Sequence, residues 1–140
     1  MQSAFEIEFS GPAWRERLPE WLIAGAVPES AVRVGIINGA MAAETVPLVL
    51  AQKWPSLLHL NVSGNALGAD SVATIWTGLR DWPVVSINLS RNAIGEGFGL
   101  FLEPGPSGLK HLYCAGNHAE EIGTGLMGNS MQMRRLTSIN

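Results

Sequence analysis

The sequence predicts an α/β solenoid in which short parallel strands alternate with helices. Three observations carry this. A twelve-residue pattern recurs at a near-constant period along the chain. Within the pattern, apolar residues alternate as they do along a strand. After it, apolar residues fall at helical spacing.

The recurrence is clearest in two segments. Leu57-Leu58-His59-Leu60-Asn61-Val62-Ser63-Gly64-Asn65-Ala66-Leu67-Gly68 aligns with Val84-Val85-Ser86-Ile87-Asn88-Leu89-Ser90-Arg91-Asn92-Ala93-Ile94-Gly95. Apolar residues match at positions 1, 4, 6 and 11, Asn at position 9 and Gly at position 12. A third copy runs from Leu109 to Asn117, with Cys114 in the position-6 slot, and a fourth begins at Leu136. Upstream, Ala31, Val34 and Ile36 fill the same apolar positions, with Gly39 where Asn is expected. Ala4, Ile7 and Phe9 do so at the start, with Pro12 at the Asn position. The copies start near residues 4, 31, 57, 84, 109 and 136, so residues 1–140 read as one repeat domain.

This pattern, L-x-x-L-x-L-x-x-N-x-L-G, resembles the leucine-rich-repeat family, and the period and trailing Gly resemble its ribonuclease-inhibitor-like subclass. The resemblance covers essentially the whole chain. It implies a short right-handed horseshoe with parallel strands on the concave face and helices on the convex face. It also implies a protein-interaction module, since similar repeats occur in ribonuclease-inhibitor-like proteins and in secreted bacterial effectors that act inside host cells. A fold alone does not choose between such roles.

Positions 3 to 6 of each copy read as a strand, with positions 4 and 6 inward and 3 and 5 outward. Stacking then makes Leu60, Ile87 and Leu112 one buried column, and Val62, Leu89 and Cys114 another. Asn65, Asn92 and Asn117 sit where the chain leaves the strand. A stacked amide there bonds backbone on both sides, so these three are expected to be structural.

The second half of each copy reads as a helix. Trp14, Leu18, Trp21 and Leu22 share a spacing, as do Ala42, Val46, Val49 and Leu50. Pro47 falls near a first turn, where proline is tolerated. Asp70 is the expected N-cap of a third helix bearing Val72, Ile75, Trp76 and Leu79 on one face. The next copy is irregular, because Gly95, Gly97 and Gly99 weaken its helix start and Pro104-Gly105-Pro106 ends it. Val27-Pro28, Trp54-Pro55 and Trp82-Pro83 mark helix-to-strand returns, with the Trp packed under the corner.

Read across the copies, the outward strand positions collect polar residues. Glu6, Glu8 and Ser10 come first, then Arg33, Gly35 and Ile37, then His59, Asn61 and Ser63. Ser86, Asn88 and Ser90, His111, Tyr113 and Ala115, and Ser138 and Asn140 follow, with Arg91 beside them. Tyr and Arg are enriched at binding hot spots. The expected partner-binding residues on the concave face are Arg33, His59, Asn61, Ser86, Asn88, Arg91, His111 and Tyr113.

The bulk composition agrees with a folded domain. Apolar residues make up 46% and charged residues 15%, which excludes a disordered chain. A net charge of −3 argues against nucleic acid, which calls for a basic surface. Cys114 is the single cysteine, so no intrachain disulfide forms, and at an inward position it is expected to be an inert thiol. The N-terminus lacks the basic and apolar runs of a secretory signal, and the least charged stretch, 40–52, is too short for a bilayer. A soluble cytoplasmic protein is expected, or, from the resemblance, an effector working in a host cytoplasm.

No catalytic pattern emerges. His59 and His111 lie two strands, roughly 10 Å, apart, too far to share a metal ion. Glu120 and Glu121 near His118 suit a helix start. Gly95-Glu96-Gly97 is not followed by a phosphate-loop pattern. Asn61-Val62-Ser63 and Asn88-Leu89-Ser90 match the glycosylation sequon but lie in strands. No cofactor, metal or enzymatic activity is expected, and the partner is expected to be a protein. The alternatives are the substrate-recognition part of a larger effector or ubiquitin-ligase-type enzyme, and self-association through the strand edge left open at Ser138-Ile139-Asn140.

Overall fold

A computed structural model describes residues 5–25, 29–52, 54–95, 100–101, 103–117 and 138–139. Five strands form a parallel sheet in sequence order: β1 (Phe5–Ser10), β2 (Ala31–Ile37), β3 (His59–Asn61), β4 (Ser86–Asn88) and β5 (His111–Tyr113). The two-residue β6 (Ser138–Ile139) adds beside β5. Among the described residues, three α-helices, α1 (Trp14–Ile23), α2 (Val46–Leu50) and α3 (Ala69–Gly78), lie between successive strands. Parallel neighbours in sequence order require such crossovers.

Pairing joins like positions of the recurring pattern. Glu6, Arg33, His59, Ser86, His111 and Ser138 form one cross-strand row. Glu8, Gly35, Asn61, Asn88 and Tyr113 form another. Between them the inward side chains of Val34, Leu60, Ile87 and Leu112 are buried, and so are those of Phe9, Ile36, Val62, Leu89 and Cys114. Each such aliphatic side chain stabilises the fold by about 1.5–3 kcal/mol through its burial.

The helices close the other side of this core. In α3, Val72, Ile75 and Trp76 are buried, as is Leu79 just beyond its end. Asp70 is not its N-cap. Gly68 takes that place with φ +86, two residues earlier, and its N–H donates to the Asn92 carbonyl at 2.7 Å. Asp70 stands in the first turn, where its charge favours the helix's positive end. A 3₁₀ turn over Ala43–Thr45 precedes α2, and Pro47 lies in the first turn of that helix.

In α1, Leu18 and Leu22 are buried, whereas Trp14 and Trp21 are half-buried and pack edge-on around Phe9, at 4.8 and 5.0 Å between ring centroids. Pro19 lies inside this helix, where it removes one internal hydrogen bond. Trp54 is buried at the corner before β3 and donates from Nε1 to the Val49 carbonyl at 3.1 Å, while Trp82 packs half-buried before β4. Between β4 and β5, Leu100 and Phe101 belong to a 3₁₀ turn. The expectations for Ala4, Val27, Pro28, Glu96, Gly97, Gly99, His118, Glu120, Glu121, Leu136, Thr137 and Asn140 lie outside the described residues.

The strand exits are held by side-chain amides. Asn65, Asn92 and Asn117 are all buried. Asn92 Oδ1 accepts from the N–H groups of Asn65 and Leu67, and its Nδ2 donates to the carbonyls of Val62, Leu89 and Ser90. Asn65 bonds likewise to Gly39, Met41, Ile36 and Val62, and Asn117 to Asn92, Ile94, Leu89 and Cys114. Each amide thus bonds backbone of its own segment and of the one before.

Candidate functional site

The outward side of the sheet carries a hollow of about 370 Å³. Its shape follows from the two cross-strand rows, whose side chains on β1 to β5 stand on the face opposite the core. Six of the residues expected to bind a partner line it: Arg33, His59, Asn61, Ser86, Asn88 and Tyr113. Glu6, Glu8 and Gly35 complete one end.

Arg91 and His111 do not line the hollow. Arg91 sits in the turn after β4 with φ +55, and its N–H donates to the Ala115 carbonyl at 2.9 Å. A Cβ placed on Gly116 would stand 2.9 Å from Arg91 Cγ, so the arginine leans over the neighbouring turn that follows β5. His111 shares its row with His59, two strands away, and its charge acts on that imidazole. Ser63, expected on the outward face, is buried instead. The strand has already begun to turn at that position, which carries the side chain off the face.

Asn61 and Asn88 are each half committed to the fold. Asn61 Oδ1 accepts from the Ser63 N–H, and Asn88 Oδ1 from the Ser90 N–H, both at 3.0 Å. An Asn that bonds the N–H two residues on is a common local turn. The Asn-x-Ser spacing that looks like a sequon is the sequence signal of this bond. With Oδ1 occupied, each amide offers the hollow its N–H donors.

The charged groups are unevenly matched. Arg33 Nε and Glu6 Oε1 form an ion pair at 3.2 Å, with both side chains more than half exposed. The His59 imidazole titrates below its ordinary range, chiefly because it is partly buried, with the positive charges of Arg33 and His111 adding and Glu6 opposing. Glu8 is exposed, and its carboxylate has no ion pair or hydrogen bond among the described residues. Behind the face, burial pushes the Cys114 thiol up to about 11, so it is protonated at neutral pH and does not present a thiolate.

Among the described residues, no three His, Cys, Asp or Glu side chains come together to hold a metal ion. No described helix is long and apolar enough to cross a membrane. No family model matches the chain, and no curated protein or solved structure matches it either.

Proposed function

We propose that the chain is a leucine-rich-repeat solenoid that binds another protein, without catalysing a reaction, through the outward face of its strands. The observation that carries this reading is the in-register pairing, which gathers eight polar residues from five strands into one hollow. Recurrence at 25 to 27 residues and the amide ladder support the solenoid. The hollow supports the binding, since it offers Arg, Tyr and amide donors, groups that anchor protein partners. The setting we propose is the cytoplasm, where a reduced thiol such as Cys114 persists.

Affinity capture from the native cell tests this, run with the wild-type chain beside an Asn88→Ala/Tyr113→Ala variant. A specific protein retained by the first and lost with the second is the expected result. No specific protein, or equal retention by both, counts against the reading.

A further inference from the structure

We propose that the hollow takes an extended segment of another protein that lays a lysine or arginine side chain across Gly35 against the Glu8 carboxylate. This rests on the reading of the outward face as a binding surface and adds to it the chemistry of the occupant.

The first argument is charge. Glu6 and Arg33 neutralise one another at 3.2 Å. His59 is held toward its neutral form at pH 7 by partial burial and by the neighbouring cations. Glu8 is then the charge left uncompensated among the residues that line the hollow. A partner that fills the hollow and strips water from this carboxylate must supply an opposite charge, or meet the penalty of an unpaired ion.

The second argument is space. Gly35 lies inside β2 and does not adopt a positive φ, so the backbone does not require glycine there. Glycine in a strand interior is less favourable than alanine. A Cβ at this position would stand 3.3 Å from Glu8 Cγ and 3.5 Å from Glu8 Oε1. The absent side chain therefore lets Glu8 lean across the neighbouring strand, where both residues line the hollow. Glycine in a strand commonly marks close approach by another group.

The third argument is the donor pattern beside this pair. In the same row as Glu8 and Gly35 follow Asn61 and Asn88, whose oxygens are bonded to backbone. Their remaining N–H groups suit the carbonyls of an extended chain. Glu8 and Asn61 are two strand spacings apart, roughly 10 Å. A long basic side chain bridges that span from a backbone lying over the amides.

Selection from a displayed library of random peptides on the full chain tests the proposal. Selected peptides are expected to share a Lys or Arg at one position and to bind about tenfold more weakly to Glu8→Gln, the effect of losing one charge-assisted hydrogen bond. Gly35→Leu should weaken them similarly, with its thermal melt confirming that it folds. Peptides with no shared basic position, or unchanged affinity for Glu8→Gln, overturn the proposal. Displacement of the peptide by spermidine at equal concentration also overturns it, by assigning the site to a free polycation. If such non-basic peptides still lose affinity with Tyr113→Ala, the face stands as a binding surface and only its charge specificity fails. If no selected peptide responds to Tyr113→Ala or Arg33→Ala, both readings fail.

Discussion

The first two strands and the next three solve one problem by different means. β1 and β2 run for six and seven residues, whereas β3, β4 and β5 have three each. A long strand satisfies its own backbone through the ladder. Leaving β1, the Gly11 N–H still finds the Ile37 carbonyl at 3.1 Å, and at the corresponding exits the chain passes Pro12 and Gly39. Past the shorter strands the backbone ladder continues alike, with the Val62 N–H donating to the Asn88 carbonyl and the Gly64 N–H to that of Ser90, and Asn65, Asn92 and Asn117 bind N–H groups of the exits beyond it. The amide ladder ends on the first region, because Asn65 Oδ1 accepts from the Gly39 and Met41 N–H groups at 3.1 Å. The first region's own exits carry no such amide, since Pro12 and Gly39 stand where the later segments have Asn, so the two regions depend unequally on single side chains.

The sharpest way to break this contrast is Asn92→Ala. It orphans two N–H groups and removes the donor to three carbonyls in a fully buried site. We expect a loss of about 4 kcal/mol, since each buried unsatisfied group costs roughly 1–3 kcal/mol and some relax toward water. Urea unfolding with an unchanged slope measures it. The matching exit in the first region is Gly39, where Gly39→Ala loses no side-chain bond and only strains a φ of +88. That change should cost about 1 kcal/mol. Equal losses at the two positions would abolish the distinction.

The regions also differ behind the sheet. In the first, a ten-residue helix presents Trp14 and Trp21 to Phe9. In the second, the Pro104-Gly105-Pro106 loop lies against Trp76 of α3, whose Nε1 donates to the Glu103 carbonyl at 2.8 Å and whose ring meets Phe101 edge-on. A Cβ on Gly105 would come within 2.2 Å of the Trp76 ring. Gly105→Ala should therefore destabilise by about 2–3 kcal/mol, as overpacked sites do, and lower the melting temperature. A neutral Gly105→Ala would mean that the loop is not part of the core.

Much of this was legible in the sequence, because period-2 apolar alternation and a recurring Asn have direct physical meanings. The spacing anticipates which residues share a row, and the inward columns are buried where alternation places them. What escaped was set by the turn rather than by the strand. Position 8 of the pattern, held by Gly11, Asn38, Gly64, Arg91 and Gly116, has positive φ in all five segments. That twist buries Ser63, carries Arg91 away from the hollow and binds the Asn61 and Asn88 oxygens to backbone. It also predicts two opposite effects. Arg91→Gly should stabilise by about 1 kcal/mol by relieving a left-handed non-glycine residue. Gly64→Ala should destabilise by about 1–2 kcal/mol, with its φ of +74 and a Cβ only 2.8 Å from Asn38 Oδ1. Thermal unfolding of both variants checks the sign. If both changes act in the same direction, this turn geometry does not hold.

The smallest effect joins the two regions through His59. Its imidazole faces Arg33 from β2, His111 from β5 and Glu6 from β1, and partial burial lowers its pKa more than any of these charges does. Well above pH 6.5 the group is neutral in both the folded and the unfolded chain and contributes no pH dependence. As pH falls through 6.5, the unfolded chain takes up a proton that the folded one resists. Stability contributed by neutral His59 is therefore present above that pH and lost below it. His59→Gln should flatten this part of the stability–pH curve, with urea midpoints at pH 7.5 and pH 5.5 as the measurement. Arg33→Gln should flatten it only in part, because burial, not charge, is the larger cause. If Arg33→Gln removed the dependence entirely, electrostatic coupling between the regions would be the dominant influence on His59.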